Sequence, residues 1–264
     1  MERNPEVTEL DKSYNNIGDL GAAAVAEAIE RKSMLTKFNL AGNDISDSGA
    51  AVVAKTMERN PKVMELDLSY DNMGDSSDVA LAEAMERNPA VTELNFAAAL
   101  PEAIERNPKL TDLNLSGNNT GDSDAAALAR EMERNPLLTE LNISCSAAAL
   151  AKALEENSML KELNLYGNNI GVFSAAALPE AIERNPKLTD LDLSGNNIVD
   201  SDGASLPTAM ERNPMLTELN LLGINTGDSG AAALANGCKR DLKLTQLNFY
   251  GNNHSDSGAA ALPC

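Results

Sequence analysis

The chain has 264 residues and a formal charge of -19, from 40 acidic against 21 basic side chains. That balance argues against nucleic acid, whose phosphates need Lys and Arg, and against anionic membrane surfaces. Aromatic content of 3% without Trp leaves a thin core of Leu and Ala, and three Cys without a spaced framework make neither a disulfide scaffold nor a zinc site, so no metal and no cofactor are expected.

The phrase "MERNP" opens the chain at 1–5 and returns at 57–61, 85–89, 132–136 and 210–214. The residues after each copy are also nearly the same, so the chain is an internal repeat. Strand-opening residues fall at Val7, Leu35, Val63, Val91, Leu110, Leu138, Leu160, Leu188, Leu216 and Leu244, which makes ten units. Complete units share the length of 188–215 and 216–243, but the fourth (91–109) and the sixth (138–159) are shorter. A repeat array overrides the length prior, and one elongated domain over 1–264 is expected, with no recognisable terminal caps.

Within a unit numbered from its opening residue, apolar side chains at the first, fourth and sixth places, as in Leu188, Leu191 and Leu193, have the period of a short strand with one buried face. The polar turn "SGNN" comes next, and its ninth-place Asn (Asn118, Asn168, Asn196, Asn252) is suited to bond backbone groups left unpaired by the bend. In "GDSGAAALA" an Asp or Ser precedes an Ala-rich stretch, which predicts a helix whose own first N–H groups are capped by that side chain. The helix stops at "ERNP", where Asn suits a left-handed residue and Pro cannot continue.

Strand, turn, helix and return within one such unit, with the pattern L-x-x-L-x-L-x-x-N-x-I, resembles the leucine-rich repeat, in its length and helix pattern the ribonuclease-inhibitor-like class. The resemblance implies an α/β, curved, right-handed solenoid with a parallel β-sheet on the concave face and helices on the convex face. Departures are Lys12 at a core Leu place, Asp71 and Ile224 in place of the turn Asn, and the loss of that turn from the fourth and sixth units.

The short units drop the connector between strand and helix. Crossing from sheet to helix layer takes roughly 10 Å, which about three extended residues span, so Ala97 to Leu100 and Ser144 to Ser146 suffice, with a local change of curvature there. Pro101 is placed to open the fourth helix. Pro179, Pro207 and Pro263 fall inside Ala-rich segments and predict helices that are kinked or start late.

"GDSG" at 227–230 is similar to the nucleophile loop of chymotrypsin-like proteases, but the chain has one His, His254, and the tetrad recurs as "SDSG" at 46–49 and 255–258, so helix capping is the better account. Asp200-Ser201-Asp202-Gly203 lacks the later ligands and terminal Glu of a calcium loop. Cys238 reads as a small apolar core residue, Cys145 lies in a shortened turn, and Cys264 ends the chain.

The third places read Glu9, Lys37, Glu65, Glu93, Asp112, Glu140, Glu162, Asp190, Glu218 and Gln246, and every fifth place is Asn or Asp. Both places point out of the sheet. Parallel strands lie about 4.8 Å apart, so carboxylates on adjacent units repel unless a basic partner lies over them. The candidate partner-binding residues are Glu65, Asp67, Glu93, Asn95, Asp112, Asn114, Glu140, Asn142, Glu162, Asn164, Asp190, Asp192, Glu218 and Asn220. Members of the resembled class bind protein ligands, which implies a non-enzymatic interaction module taking a basic protein segment. The other readings are a GTPase activator, for which no unit offers a specific Arg or Asn, and a piece of a larger receptor-type repeat protein. No basic-then-apolar leader is present and no apolar run approaches about 18 residues, so no membrane contact and a cytoplasmic location are expected. The chain begins and stops within helical stretches of the repeat, which predicts frayed ends or end-to-end self-association.

Overall fold

The computed structural model describes residues 7–29, 34–96, 101–116, 128, 132, 134–143, 154, 157–168, 170, 178–198, 206–240, 243–256 and 258. The chain forms two compact units, Met1–Thr120 and Gly121–Cys264. In the first, strands β1 (Glu9–Asp11), β2 (Lys37–Asn39), β3 (Glu65–Leu68), β4 (Glu93–Phe96) and β5 (Asp112–Leu115) alternate with helices α1 (Gly18–Ile29), α2 (Asp47–Arg59), α3 (Asp75–Arg87) and α4 (Pro101–Arg106). In the second, β6 (Glu140–Ile143), β7 (Glu162–Asn164), β8 (Asp190–Asp192), β9 (Glu218–Asn220) and β10 (Gln246–Asn248) accompany the described helices α5 (Leu178–Arg184), α6 (Leu206–Arg212) and α7 (Asp228–Arg240). Within each unit the strands pair in chain order, all parallel. This is the α/β leucine-rich-repeat arrangement that the resemblance implies.

The period-two pattern works as read. Leu35, Phe38 and Leu40, Leu110, Leu113 and Leu115, and Leu188, Leu191 and Leu193 are each at most 3% exposed. The Met of the repeated phrase closes the helix side of the same core, since Met57, Met85, Met132 and Met210 are all buried. Strands of three or four residues offer few apolar side chains each, so a coil is stable only when its neighbour covers it.

The turn Asn forms a ladder between coils. Asn43 Oδ1 accepts from Asn15 N at 2.9 Å and Ile17 N at 3.2 Å in the preceding coil, while its Nδ2 donates to Lys12 O at 2.9 Å and Leu40 O at 2.6 Å. Asn196 repeats this with Ile170 N (2.9 Å), Leu165 O (2.9 Å) and Leu193 O (2.8 Å). Asn252 donates to Leu221 O at 2.8 Å and Phe249 O at 3.0 Å. Asp71 keeps half of the pattern: its Oδ1 accepts from Asn43 N at 2.7 Å and Ile45 N at 3.0 Å, but Oδ2, standing where an amide would donate, is buried without a hydrogen-bond partner. Burial accordingly raises this carboxyl above its ordinary pKa, against the two backbone donors, with Asp44 and Asp67 adding to the rise. At the other departure, Ile224 is fully buried and the Thr226 hydroxyl donates to Ile198 O at 3.0 Å.

A second ladder runs through the Asn of "RNP", and here the sequence expectation is corrected. Asn60 and Asn88 have φ of -120° and -117° with ψ of 81°, so neither is left-handed. The backbone instead turns the side chain into the core, where Asn60, Asn88, Asn107, Asn135, Asn185 and Asn213 are all buried, as is Asn157, which holds the same place before Ser158. Asn88 Nδ2 donates to Met57 O, Asn60 O and Val63 O at 3.2–3.3 Å, and its Oδ1 accepts from Ala90 N at 3.1 Å. Asn213 Nδ2 donates to Ile182 O at 3.0 Å and Asn185 O at 2.8 Å. These carbonyls belong to the helix end and return of the preceding coil, which no helical donor reaches.

The helix starts hold a second correction. Ser46 caps its own helix weakly, accepting from Ser48 N at 3.3 Å. The acidic residues reach forward into the next coil: Asp19 accepts from Ser46 N (2.8 Å), Ser46 Oγ (2.6 Å) and Ser48 Oγ (2.5 Å), Asp47 from Gly74 N (2.7 Å), and Asp228 from Ser255 N (2.6 Å) and Ser255 Oγ (2.7 Å). The first unpaired N–H of each following helix faces the preceding coil, so the carboxylate meets that donor as well as the positive helix end. The Gly of "DSG" makes room, because a Cβ at Gly49 would lie 2.5 Å from Asp19 Oδ1 and one at Gly258 2.5 Å from Asp228 Oδ1. The hydroxyl and backbone donors of Ser46 and Ser48 hold the Asp19 carboxyl down at about 2.

Both short coils keep their place in the ladder. Glu93 pairs with Asp112 across β4 and β5, and Glu140 with Glu162 across β6 and β7. α4 opens at Pro101, and Asn107 Nδ2 donates to Val91 O at 2.7 Å. Asn157 Nδ2 donates to Met132 O at 3.3 Å. The connectors 97–100 and 144–146, and with them the expected change of curvature, lie outside the described residues, as does Pro263. Pro179 and Pro207 each occupy the second position of a seven-residue described helix, where no helical donor is lost.

The ladders can be tested by removing one amide and by restoring another. Asn88→Ala strands three buried carbonyls and should lower stability by about 2–4 kcal/mol in urea titrations, whereas the exposed neighbour Arg87→Ala should cost far less. Asp71→Asn restores the missing donors and should raise stability by about 1–3 kcal/mol at pH 7. Because the folded pKa of Asp71 is raised, the parent gains stability as pH falls through that value toward the ordinary one near about 4; Asp71→Asn should lose this gain, which melting curves from pH 7 to 4 would read.

Candidate functional site

Strand alternation puts the third and fifth places on the open face of the sheet, and none of the fourteen candidate residues is buried in the core. Glu140 and Glu162 are exposed, and the other twelve are partly exposed. Within each unit the pairing register sets third place beside third place.

In the first unit the row is Glu9, Lys37, Glu65, Glu93, Asp112. Lys37 Nζ lies 2.6 Å from Glu65 Oε1, and this bond, outweighing desolvation and joined by the charges of Glu65, Glu9 and Glu93, raises the lysine above its ordinary pKa. Glu93 sits between Glu65 and Asp112; partial burial first, and then those two charges, push its carboxyl up. Asp112 Oδ2 accepts from Thr111 Oγ1.

In the second unit the row is Glu140, Glu162, Asp190, Glu218, Gln246, with no Lys or Arg at any of its five places. Asp190 Oδ2 accepts from Thr189 Oγ1 at 2.5 Å, and Gln246 Nε2 donates to Glu218 Oε1. Desolvation, followed by the Asp190 and Glu162 charges, raises the Glu218 pKa. Four neighbouring strands thus carry four carboxylates in register.

The fifth-place row has a backbone duty that sequence reasoning missed. Asp67 Oδ1 accepts from Ser69 N at 3.0 Å and Ser69 Oγ at 2.7 Å, and Asp192 Oδ1 from Ser194 N at 2.8 Å and Ser194 Oγ at 2.5 Å. Asn114, Asn164 and Asn220 accept from the N–H two residues on at 2.9–3.2 Å. Each closes the strand into its turn. The signal was present as the constant Asn or Asp of the fifth place, joined in several units by Ser two places later. Asn220 Nδ2 also bridges to Asp192 Oδ2 at 2.9 Å. The third places are therefore the row whose carboxylates face solvent with fewer backbone commitments.

A further feature stands at the strand exits. The eighth place is Gly at 42, 167, 195, 223 and 251, each with φ between 62° and 72°. At the same place Tyr14 and Tyr70 adopt φ of 54° and 58°. A bulky residue there carries strain of about 1–3 kcal/mol, yet both rings point outward, 70% and 62% exposed. Aligning the units shows this Gly-to-Tyr exchange in the sequence itself, but not the backbone cost.

The other sequence candidates disperse. Ser229 of "GDSG" lies in the first turn of α7, next to Asp228 with its forward bond, and His254 stacks on Phe249 at 5.4 Å with the rings 5° from parallel, in the place other units give to Ile. Among the described residues no group of His, Cys, Asp and Glu is placed to hold a metal, and no helix is long and apolar enough to cross a membrane. Asp200, Ser201, Asp202, Cys145, Cys264 and the side chain of Cys238 lie outside the described residues.

The family model described as Leucine Rich repeat matches residues 3–26, 31–54, 106–129, 156–177 and 184–206. No curated protein matches the chain. Among solved structures, the leucine-rich-repeat-containing protein LegL7 of Legionella pneumophila is similar at TM-score 0.50 and 17% identity, over 97% of this chain and 89% of that one. An internalin of Listeria monocytogenes aligns at TM-score 0.46 and 17% identity, over 97% and 84%. With matched repeats in both compact units and a parallel ladder in each, the chain is a leucine-rich-repeat protein.

Proposed function

We propose that this chain is a non-enzymatic protein-interaction module whose open strand face receives a basic segment of a protein partner. The observation that carries the reading is the register of Glu140, Glu162, Asp190 and Glu218, four carboxylates on adjacent strands whose mutual repulsion a Lys- or Arg-bearing segment relieves. Glu65, Glu93 and Asp112 extend the same chemistry in the first unit. An extended basic segment suits such a row, because electrostatic complementarity speeds encounter and rejects acidic competitors. The length of the full repeat supports the ribonuclease-inhibitor-like class, and three Cys without a disulfide framework support a cytoplasmic setting.

Charge reversal at all four second-unit positions should weaken capture of an octalysine peptide at least about tenfold, and raising salt from 50 to 500 mM should weaken it for the parent chain as well. The circular dichroism of the variant should be unchanged. Capture that survives both treatments places binding elsewhere, and faster GTP turnover by a small GTPase on adding the chain would replace this reading with the activator one.

The same row sets a pH signature. Raised folded pKa values at Glu93 and Glu218 mean that stability rises as pH falls through those values toward the ordinary carboxyl range. Asp19, lowered to about 2, works the other way: its contribution is present above the ordinary value and lost as pH falls toward 2. Melting temperature should therefore climb from neutral pH to a maximum near about pH 4–5 and fall below it. Reversal of Glu93 and Glu218 to Lys should flatten the climb and leave the acid fall intact.

A further inference from the structure

The eighth-place tyrosines of the first unit are strained and exposed, with their rings outside the core. The two rings lie 6.4 Å apart at 37°, forming one aromatic surface across the middle coil. The middle coil makes way for them: Gly42 stands between, and a Cβ there would lie 2.6 Å from the Tyr14 ring. Three residues before each Tyr stands a carboxylate, Asp11 and Asp67, in register on either side of Asn39. Both are held in place by a following serine, Asp11 Oδ1 accepting from Ser13 N at 2.9 Å and Ser13 Oγ at 2.7 Å, and Asp67 Oδ1 likewise from Ser69.

We propose that Tyr14 and Tyr70, with Asp11 and Asp67, form a recognition site for an arginine side chain of the protein partner. A guanidinium is planar, stacks on aromatic faces and offers its donors in a fork to carboxylates, whereas an ammonium does only part of this. One Oδ of each Asp is fixed by Ser, which aims the carboxylate and leaves the second oxygen for the ligand. The Ser13 bonds also keep the Asp11 carboxyl below its ordinary pKa, so its charge persists at acidic pH. The neighbourhood favours a cation over a neutral sugar, which would also stack on tyrosine but would gain nothing from two charged carboxylates. The strain has a rationale in the same terms, since Gly at these places would relax the backbone and remove the aromatic surface. This inference rests on the reading that the open strand face takes a basic segment, and it names a residue type read in the first unit.

The test is binding of the peptide Ac-Gly-Gly-Arg-Gly-Gly-amide, followed through the Tyr ring resonances. With four Tyr and no Trp in the chain, the aromatic spectrum is sparse enough to assign. The arginine peptide should shift Tyr14 and Tyr70 alone. Its citrulline analogue, neutral but planar, and its lysine analogue should each bind at least about fivefold more weakly. Tyr14→Gly with Tyr70→Gly should abolish binding while the urea midpoint stays level or rises, because Gly is what the other coils use there. Equal binding of the citrulline or lysine analogue, undiminished binding by the double variant, or shifts produced by a neutral oligosaccharide instead would overturn the proposal. The second-unit charge-reversal variant separates this from the broader reading: loss of octalysine capture with the arginine site intact supports both. Octalysine capture that survives the reversal removes the broader reading alone.

Discussion

A coil that returns on itself with every repeat must leave backbone carbonyls inside the protein at both of its bends, and satisfying them is the constraint on which the rest depends. Helix and strand ladders serve the straight parts of the chain only. At most of these bends the protein sets an Asn, whose amide both donates and accepts, and points it at the coil before. Leu packing gives the coils a reason to stack. The two rows of Asn determine that they stack in one register, since a slip by one residue would leave several buried polar groups unmatched.

The helix starts add a third seam of the same kind. Asp19, Asp47 and Asp228 each hold the opening of the following helix, and Gly49 and Gly258 stand where a side chain would collide with the arriving carboxylate. Each of these polar bonds runs from one coil to the next, and the acidic third places remain as the part of the pattern with no packing role. That division helps a chain with a formal charge of -19 to fold: among the described residues, Asp19, Asp47, Asp67, Asp192 and Asp228 accept hydrogen bonds from the backbone, and Glu140 and Glu162 lie exposed on the open strand face.

The strand register, the buried places, the turn Asn and the start of α4 at Pro101 were legible in the sequence, because each belongs to a period repeated many times. Less legible were features in which one residue type serves two geometries. Asn before Pro suggested a left-handed stop, and only the backbone angles of Asn60 and Asn88 reveal a side chain turned inward. Asp at a helix start suggested a cap on its own helix, and the contact that decides otherwise, from Asp19 to Ser46, spans 27 residues. In the candidate site, the outward placement of the third-place row was legible from strand alternation, but the constant Asn or Asp of the fifth place, with Ser two residues on in several units, read only as an outward polar place although it closes the turn. The strained Tyr14 and Tyr70 were hidden for a different reason: an aromatic residue in place of Gly looks like drift until its φ is known.

The Asn at the helix end is kept in both shortened coils, as Asn107 and Asn157, and in most full-length ones, with Lys32 and Asp241 standing there in the first and ninth, whereas the turn Asn is given up in the two short ones. Coil length is thus the more variable part and the junction the more constant one. A duplication or deletion whose ends both fall at that junction delivers a unit already matched to any neighbour, so the array can lengthen, shorten or reorder its recognition face by recombination without having to invent a new interface.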